Sequence, residues 1–182
     1  MIYEALTCIA DDMNEFFKAT LGVNDDRVIL SGIVNQDGSL AIQSENRVII
    51  TLQNVEKEIT GKNGPGGMQN RQAQVTLNIN LYILFSAYFP GSNYQEALKF
   101  LSYTIAYLQQ KSVFTPTNTP TLNAGIDKLV FELENMSTEK QSNIWATFGA
   151  KYMPSVLYKM RMLTFENTAI RELTPPISNI SS

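Results

Sequence analysis

The sequence predicts a single α/β domain of the α+β type, with a four- to five-stranded mixed or antiparallel sheet and flanking helices. Two periodicities support this prediction. From Val75 to Tyr88 apolar and polar residues alternate with one exception, which indicates a long strand with one buried face. From Tyr94 to Leu108 apolar residues recur every three or four positions, which indicates an amphipathic helix. A strand, a short turn and a helix form one two-layer unit, around which the remaining elements are expected to pack.

The N-terminal third predicts one helix followed by two strands. Apolar residues recur at helical spacing over residues 2–21, and Gly22 follows in a position typical of a helix C-terminus. Residues 27–34 (RVILSGIV) are a short apolar run, and residues 47–60 (RVIITLQNVEKEIT) are a longer one whose last part is charged. An Asp-Gly pair typical of tight turns lies between the two strands.

The segment GKNGPGGMQNR, residues 61–71, resembles a phosphate-binding loop only in its glycines. A P-loop needs a lysine followed by serine or threonine after the second glycine, and then a helix. Here Lys62 precedes most of the glycines and a strand follows. We therefore interpret 61–71 as a flexible hairpin loop between two long strands, of the kind that becomes ordered against a partner.

The central strand and the helix after it define the expected core. One face of the strand is apolar and the other mostly polar, so we expect one buried and one wetter face. Ser92 with Gln95, or Asn93 with Glu96, has capping-box spacing, which predicts a helix over residues 93–111. Its stripe expected to lie on the sheet consists of Tyr94, Ala97, Leu98, Leu101, Ile105 and Leu108.

The C-terminal half predicts a connector, two strands and one more helix. A connector rich in Pro, Thr and Asn spans residues 113–125 and precedes a strand over 128–134. Ser137 is placed to cap a helix over 138–149. Within that helix Trp145 could serve as a ligand platform, but a single Trp on an apolar helix face more often packs in a core.

The last predicted strand, SVLYKMRMLTF, carries two cations on one of its faces. Lys159 and Arg161 alternate there with apolar residues, which is unusual for a closed core and typical of a surface that meets a partner. From Thr168 onward the chain is too polar and too rich in proline to fold alone. We therefore expect a domain over residues 1–167 and a flexible C-terminal tail over 168–182.

Composition excludes several classes of function. The net charge is −3, which argues against general nucleic-acid binding, and the apolar runs are too short for membrane insertion. The N-terminus lacks the basic region of a secretory signal, so we expect synthesis in the cytoplasm. With 0 histidines, Ser-His-Asp and Cys-His arrangements are impossible. The single cysteine, Cys8, is expected to be a partly buried helix residue rather than a reactive thiol.

Three segments and their order resemble a known family. They are IYEALTCIADDMNEF, LNINLYILFSAYFPGSNYQEALKFLSYTIAYLQQKSVFTP and LVFELENMSTEKQSNIWATFGAKYMPSVLYKMRML. Together they are similar to the small cap, or tail-terminator, proteins of extracellular contractile injection systems such as the antifeeding prophage and the Photorhabdus virulence cassette. The resemblance covers roughly residues 1–166. It is carried by packing residues rather than by a chemical signature.

The resemblance implies a phage tail-terminator-like fold and a structural role. A member would cap the baseplate-distal end of a tube and sheath as a homohexameric ring, and the family has no known catalytic residues to carry over. The missing histidine and the failed P-loop spacing predict that the protein has no metal or cofactor. Its partners would be further copies of itself and the sheath and inner tube proteins of a phage tail-like particle, assembled in the cytoplasm, with release from the cell left open. The candidate assembly contacts in this sequence are Arg71, Lys159, Arg161, Pro175, Pro176 and Ile177.

A second reading remains open at the level of sequence. The same α/β layers could serve a small ligand-binding module or an enzyme, because fold does not fix function. That reading requires a convergent polar constellation, and none stands out in the sequence.

Overall fold

A computed structural model describes residues 1–58 and 78–163 of the chain. Its helices are α1 (Ile2–Leu21), α2 (Tyr94–Gln110) and α3 (Thr138–Phe148). Its strands are β1 (Val28–Leu30), β2 (Arg47–Lys57), β3 (Ile79–Tyr88), β4 (Val113–Phe114), β5 (Lys128–Leu133) and β6 (Ser155–Leu163). Helix α1 has the predicted bounds, and α3 differs from its prediction only at its last residue.

The strands form one mixed sheet in the order β1-β2-β3-β6-β5-β4. Strands β1 and β2 are parallel, and all other neighbours are antiparallel. The described residues therefore contain six strands, where the sequence predicted four or five. The additional strand is β4, whose two residues lie in the segment predicted to be a connector. Two residues are too few to show an alternating pattern in the sequence. They form a strand by pairing with the edge of β5.

The sheet is covered on both faces. On one face Ile83 and Phe85 of β3 share a core with Phe17 of α1 and Phe100 of α2. On the opposite face the next residue, Leu84, shares a second core with elements that include α3. The prediction of a wetter second face for the central strand is therefore wrong, because α3 and the segment before β2 cover that face. Ser86 lies on this face and is 0% exposed.

Helix α2 departs from its prediction in two ways. It begins at Tyr94 after a 3-10 turn over Gly91–Asn93, and Asn93 makes no side-chain capping bond, so the capping box is wrong. The buried face is also rotated from the predicted stripe and consists of Ala97, Phe100, Thr104, Tyr107 and Leu108. The aromatic rings decide this orientation: Phe100 packs edge-on against Phe17 with centroids 5.4 Å apart, and Tyr107 lies 5.1 Å from Phe16.

The ends of α1 and α3 follow their sequence signals. Gly22 and Gly149 have φ angles of 66° and 65°, in the left-handed region that glycine adopts without steric cost. The Ser137 hydroxyl accepts a hydrogen bond from the Lys140 amide at 3.2 Å, which confirms the predicted cap. Trp145 is buried in the second core, as expected. Cys8 is buried too, with its sulfur 3.3 Å from the Thr121 hydroxyl.

The outer edge of β1 is closed by one side chain of α1. The Asn14 amide group accepts hydrogen bonds from the backbone amides of Arg27 and Val28 at 2.8 Å and donates to the Val28 carbonyl at 2.9 Å. Because the Arg27 carbonyl already pairs with β2, the Val28 groups point away from the sheet. Asn14 therefore takes the place of a neighbouring strand at the start of β1 and protects that part of the sheet edge. Strand β1 has three residues, where the sequence predicted a strand over 27–34.

Several predictions lie outside the described residues. These are the loop over 61–71, the beginning of the central strand at 75–77, the last residues of the strand over 155–165 and the tail over 168–182. Arg71, Pro175, Pro176 and Ile177 belong to these segments. The division into residues 1–167 and 168–182 stays a prediction.

Candidate assembly surfaces

The two predicted cations that the structure describes lie at one end of the sheet. Lys159 and Arg161 share the parity of Leu157 on β6 and so lie on the face that α3 covers farther back along the strand. Arg161 is paired with Asn80 of β3, and Lys159 with Glu132 of β5. We call the surface formed by Glu58, Asn80, Glu132, Lys159 and Arg161 the charged sheet end.

Arg161 is neutralised by its own chain. Its Nη2 lies 2.6 Å from the Glu132 carboxylate, and its Nη1 lies 4.0 Å from Glu58. Its Nε and the Oδ1 of the facing Asn80 are buried, and neither has a hydrogen-bond partner among the described residues. Arg161 of β6 therefore links β5 to the residue that follows β2, and it offers little free positive charge to another protein.

Lys159 is the freer of the two cations. It is half-buried, and within residues 1–58 and 78–163 it makes no ion pair, although it faces Glu132 across the strand pair. A lysine buries its methylene chain and keeps its ammonium group in water, where it can reach an acidic partner. Of the sequence-predicted contacts that the structure describes, Lys159 is thus the better candidate for an intermolecular ion pair.

Tyr82 connects α3 to β2 next to the charged sheet end. The Tyr82 hydroxyl donates to Glu56 at 3.1 Å, and the Lys140 ammonium of α3 lies 5.6 Å from the Tyr82 ring centroid. Burial, with the hydrogen bond to Glu56 second, raises the pKa of Tyr82, so its hydroxyl stays a donor. Lys140 also pairs with Glu134 at 3.2 Å. These contacts fix α3 over the sheet next to the charged sheet end.

The described chain leaves the sheet at this same end. Lys57, the last residue of β2, pairs with Ile79, the first residue of β3, which in turn pairs with Met162 near the end of β6. Residues 59–77 and 164–182 therefore connect to the protein beside the charged sheet end. The structure thus places Lys159 and Arg161 next to the attachment points of the segments that contain the other predicted contacts.

A polar depression between α1 and α2 contains a group of partly buried ionisable side chains. The Tyr107 hydroxyl donates to the Asp12 carboxylate, and Lys111 Nζ lies 2.7 Å from the same group. Burial, and next the bond to Asp12, raises the pKa of Tyr107. Lys111 also donates to the Asn118 carbonyl at 3.4 Å and lies 4.8 Å from the Phe114 ring centroid. The charges are mutually satisfied, so this cluster joins two helices to the connector after β4.

Residues 1–58 and 78–163 form neither a metal-binding cluster nor a membrane-spanning helix. No group of three or more histidine, cysteine, aspartate or glutamate side chains is placed to hold a metal ion there. Nor does that part of the chain include a helix with the length and apolarity needed to cross a membrane.

One surface was misassigned by sequence reasoning. Tyr94, Leu98, Leu101 and Ile105 of α2 were expected on the sheet, but they belong to neither core. Tyr94 is 53% exposed and Leu98 is 42% exposed. We call these four residues the α2 stripe. The signal for it was present in the sequence, because α2 carries more apolar positions than one buried face needs.

Comparison with known proteins gives consistent results. The Pvc16 N-terminal domain family matches residues 7–179. A PVC sheath/tube terminator from an extracellular contractile injection system, solved in the extended state, has a TM-score of 0.61 and 14% identity over 100% of this chain and 62% of that one. The tube-terminating cap of the anti-feeding prophage has a TM-score of 0.54 and 14% identity over 96% of this chain and 60% of that one. No curated protein matches the sequence.

Both solved proteins are longer than this chain, which spans about three fifths of each. At 14% identity the likeness establishes a shared fold. It confirms the α/β terminator-like fold that the sequence predicted.

Proposed function

The chain belongs to the Pvc16 N-terminal domain family, and from this membership we propose that it is the cap, or tail terminator, of a contractile injection system. In this role it closes the baseplate-distal end of the tube and sheath. The observation that carries the proposal is the agreement of the whole fold with a sheath/tube terminator over 100% of the chain. A local motif would be weaker support, because the protein acts through surfaces rather than through a reaction.

The cap is a ring of six copies that matches a six-fold tube and sheath. A closed ring repeats one heterologous contact, so each copy needs two different surfaces that complement each other. The copies must also not associate through the free edges of their sheets, which would add strands outside the ring. Asn14 on the outer edge of β1, and a strand β4 of only two residues at the other edge, fit that requirement.

The charged sheet end faces the partners of the ring. Lys159 supplies a free cation there, and Arg161 holds the carboxylates of Glu132 and Glu58 in place. Arg71 and the segment containing Pro175, Pro176 and Ile177 complete the set of proposed contacts to a neighbouring copy or to the sheath and inner tube. The protein performs no catalysis in this account and requires no cofactor. Assembly takes place in the cytoplasm, as part of a phage tail-like particle.

Deleting residues 174–182 together with shortening the loop over 61–71 tests these contacts. Because the proposal assigns both segments to contacts with other molecules, we expect an unchanged circular dichroism spectrum and melting temperature. Ring formation, or docking of rings to tube and sheath, should weaken because the segments become ordered at the interface. The two single changes serve as matched controls for each segment.

Negative-stain images of particles assembled with the double variant give the decisive comparison. Normal caps and unchanged particle length would show that neither segment forms the contacts. Wild-type protein that stays monomeric beside sheath and tube, with their ends left open, would contradict the terminator proposal itself.

A further inference from the structure

Strand β2 extends far beyond the strand that covers its outer edge. It pairs with β3 along its whole length, whereas β1 pairs only with residues 48–50. Residues 53–57 are all exposed, and Val55 is 46% exposed although it faces the fully buried Leu81 of β3. Within residues 1–58 and 78–163 no further strand lies beside this part of β2. It therefore presents unpaired backbone amides and carbonyls, to which an extended segment can bind.

This open edge accepts only a matching strand. It follows a β-bulge between Leu52 and Asn54, which increases the local twist, and it carries the charges of Glu56 and Lys57. Both features are ones by which proteins keep sheet edges from pairing with arbitrary strands. A segment that binds here must therefore place opposite charges beside Glu56 and Lys57 and an apolar side chain beside Val55.

The C-terminal tail contains one such segment. In a parallel register three facing pairs match at once: Ile170 with Val55, Arg171 with Glu56, and Glu172 with Lys57. Aligning the same charges in the antiparallel direction shifts Arg171 to Glu58, beyond the last residue of β2, and leaves Thr174 beside Val55. The order apolar, basic, acidic occurs at no other three consecutive residues of the sequence. Charge and apolarity together therefore select residues 170–172 of this chain as the occupant.

The tail is too short to place this segment on β2 of its own copy. The last pairs of the sheet put Leu163, at the end of β6, level with Glu58. From there the outer side of β2 at Val55 lies about 14 Å away across three strand spacings and about 10 Å back along the strand. The seven residues from Leu163 to Ile170 span at most about 24 Å. Because β6 and β2 run in the same direction, two reversals of the chain are needed as well, and the register therefore requires β2 of a second copy.

We propose that residues 170–172 of one copy bind as a parallel strand to the open edge of β2 in the next copy. This inference rests on the proposed ring and identifies one contact that repeats around it. The tail and the β2 edge are different surfaces, so the contact is heterologous, as a closed ring requires. Backbone hydrogen bonds supply the affinity, and the three facing pairs set the register. Once bound, the tail covers the edge, which then adds no strands outside the ring.

Exchanging one pair of charges tests the register. Arg171→Glu places a carboxylate beside Glu56, so self-association measured by sedimentation velocity should weaken by about tenfold or more. Glu56→Arg should weaken it similarly, and the variant with both changes should regain wild-type association, because the pair is restored with its charges exchanged. Asp11→Arg reverses an exposed charge on α1 and should have no effect. Circular dichroism verifies that all four variants are folded.

Crosslinking identifies the copy that supplies the strand. Val55→Cys and Ile170→Cys proteins, mixed and treated with a short bis-maleimide, should give dimers that contain one chain of each. Ile170→Cys mixed with Leu133→Cys is the matched control and should not crosslink, because Leu133 is a similarly exposed strand residue near the other edge of the sheet. Cys8 is buried, and the wild type should give no product.

The inference would be overturned by a charge-exchanged variant that associates no better than Arg171→Glu, or by a wild type that stays monomeric at micromolar concentration. A protein with cysteines at both 55 and 170 that crosslinks only within one chain, or crosslinks from position 55 to sheath or tube protein alone, would overturn it as well. The cap proposal is tested separately. Rings of Arg171→Glu that close particles normally would leave it standing without this inference, whereas open particle ends in the presence of wild-type protein would contradict it.

Discussion

Replacing Leu84 by alanine is expected to lower the free energy of unfolding by about 2–5 kcal/mol, the range for a fully buried leucine. Leu84 is 0% exposed and packs in the core that β3 shares with Ile144 and Trp145 of α3. The sequence pattern alone assigns this face to water, and an exposed leucine would lose almost nothing on truncation. The size of the loss therefore measures whether α3 covers the sheet.

Urea denaturation gives the value, and Leu133→Ala is the matched control. Leu133 is also on a strand of the sheet but is 55% exposed, so its truncation should cost less than about 0.5 kcal/mol. Equal losses at the two positions would contradict the three-layer arrangement. An unchanged slope of free energy against urea concentration would show that the denatured states are comparable.

Asn14→Ala is expected to destabilise the protein by about 3 kcal/mol, because a buried backbone group left without a partner costs about 1–3 kcal/mol. The side chain satisfies the amides of Arg27 and Val28 and the Val28 carbonyl, and Val28 is 2% exposed. Water has little access to replace these bonds. The substitution also uncovers a strand edge, so the variant should aggregate more readily on partial unfolding.

Asp11→Ala on the same helix is the control for Asn14→Ala. Asp11 is exposed, and we expect its removal to change stability by less than about 0.5 kcal/mol. Hydrogen exchange locates the effect: the amide of Val28 should exchange much faster in Asn14→Ala, while the amides in the middle of β3 change only with global stability. Unchanged protection at Val28 would mean that Asn14 does not guard the edge.

The elements that the sequence predicted well are those whose signal is local. Helix α1 begins and ends where its periodicity and Gly22 indicate, and α3 begins at the residue that Ser137 caps. Alternation over the central strand located β3 and correctly identified the face toward α1 and α2. Each of these features depends on residues close together in the chain, so a single sequence is sufficient.

The predictions are wrong where contacts between residues distant in the sequence determine the structure. No sequence signal near Leu84 predicts that α3, more than 50 residues later in the chain, covers it. The orientation of α2 is decided by rings on α1 and β4, which draw Tyr107 inward and leave Tyr94 outside. Likewise Arg161 was correctly placed on a sheet face, but its neutralisation by Glu132 depends on a strand pairing that the sequence does not reveal.

Cryo-electron microscopy of intact particles that carry a small tag on this chain tests the central claim most directly. The cap proposal predicts six-fold density of this fold, with the tag, at the baseplate-distal end of tube and sheath and nowhere else. Particles that lack the protein should have open ends and a broader distribution of lengths. Tag density along the shaft or at the baseplate, or particles with normal closed ends in the absence of the protein, would contradict the account.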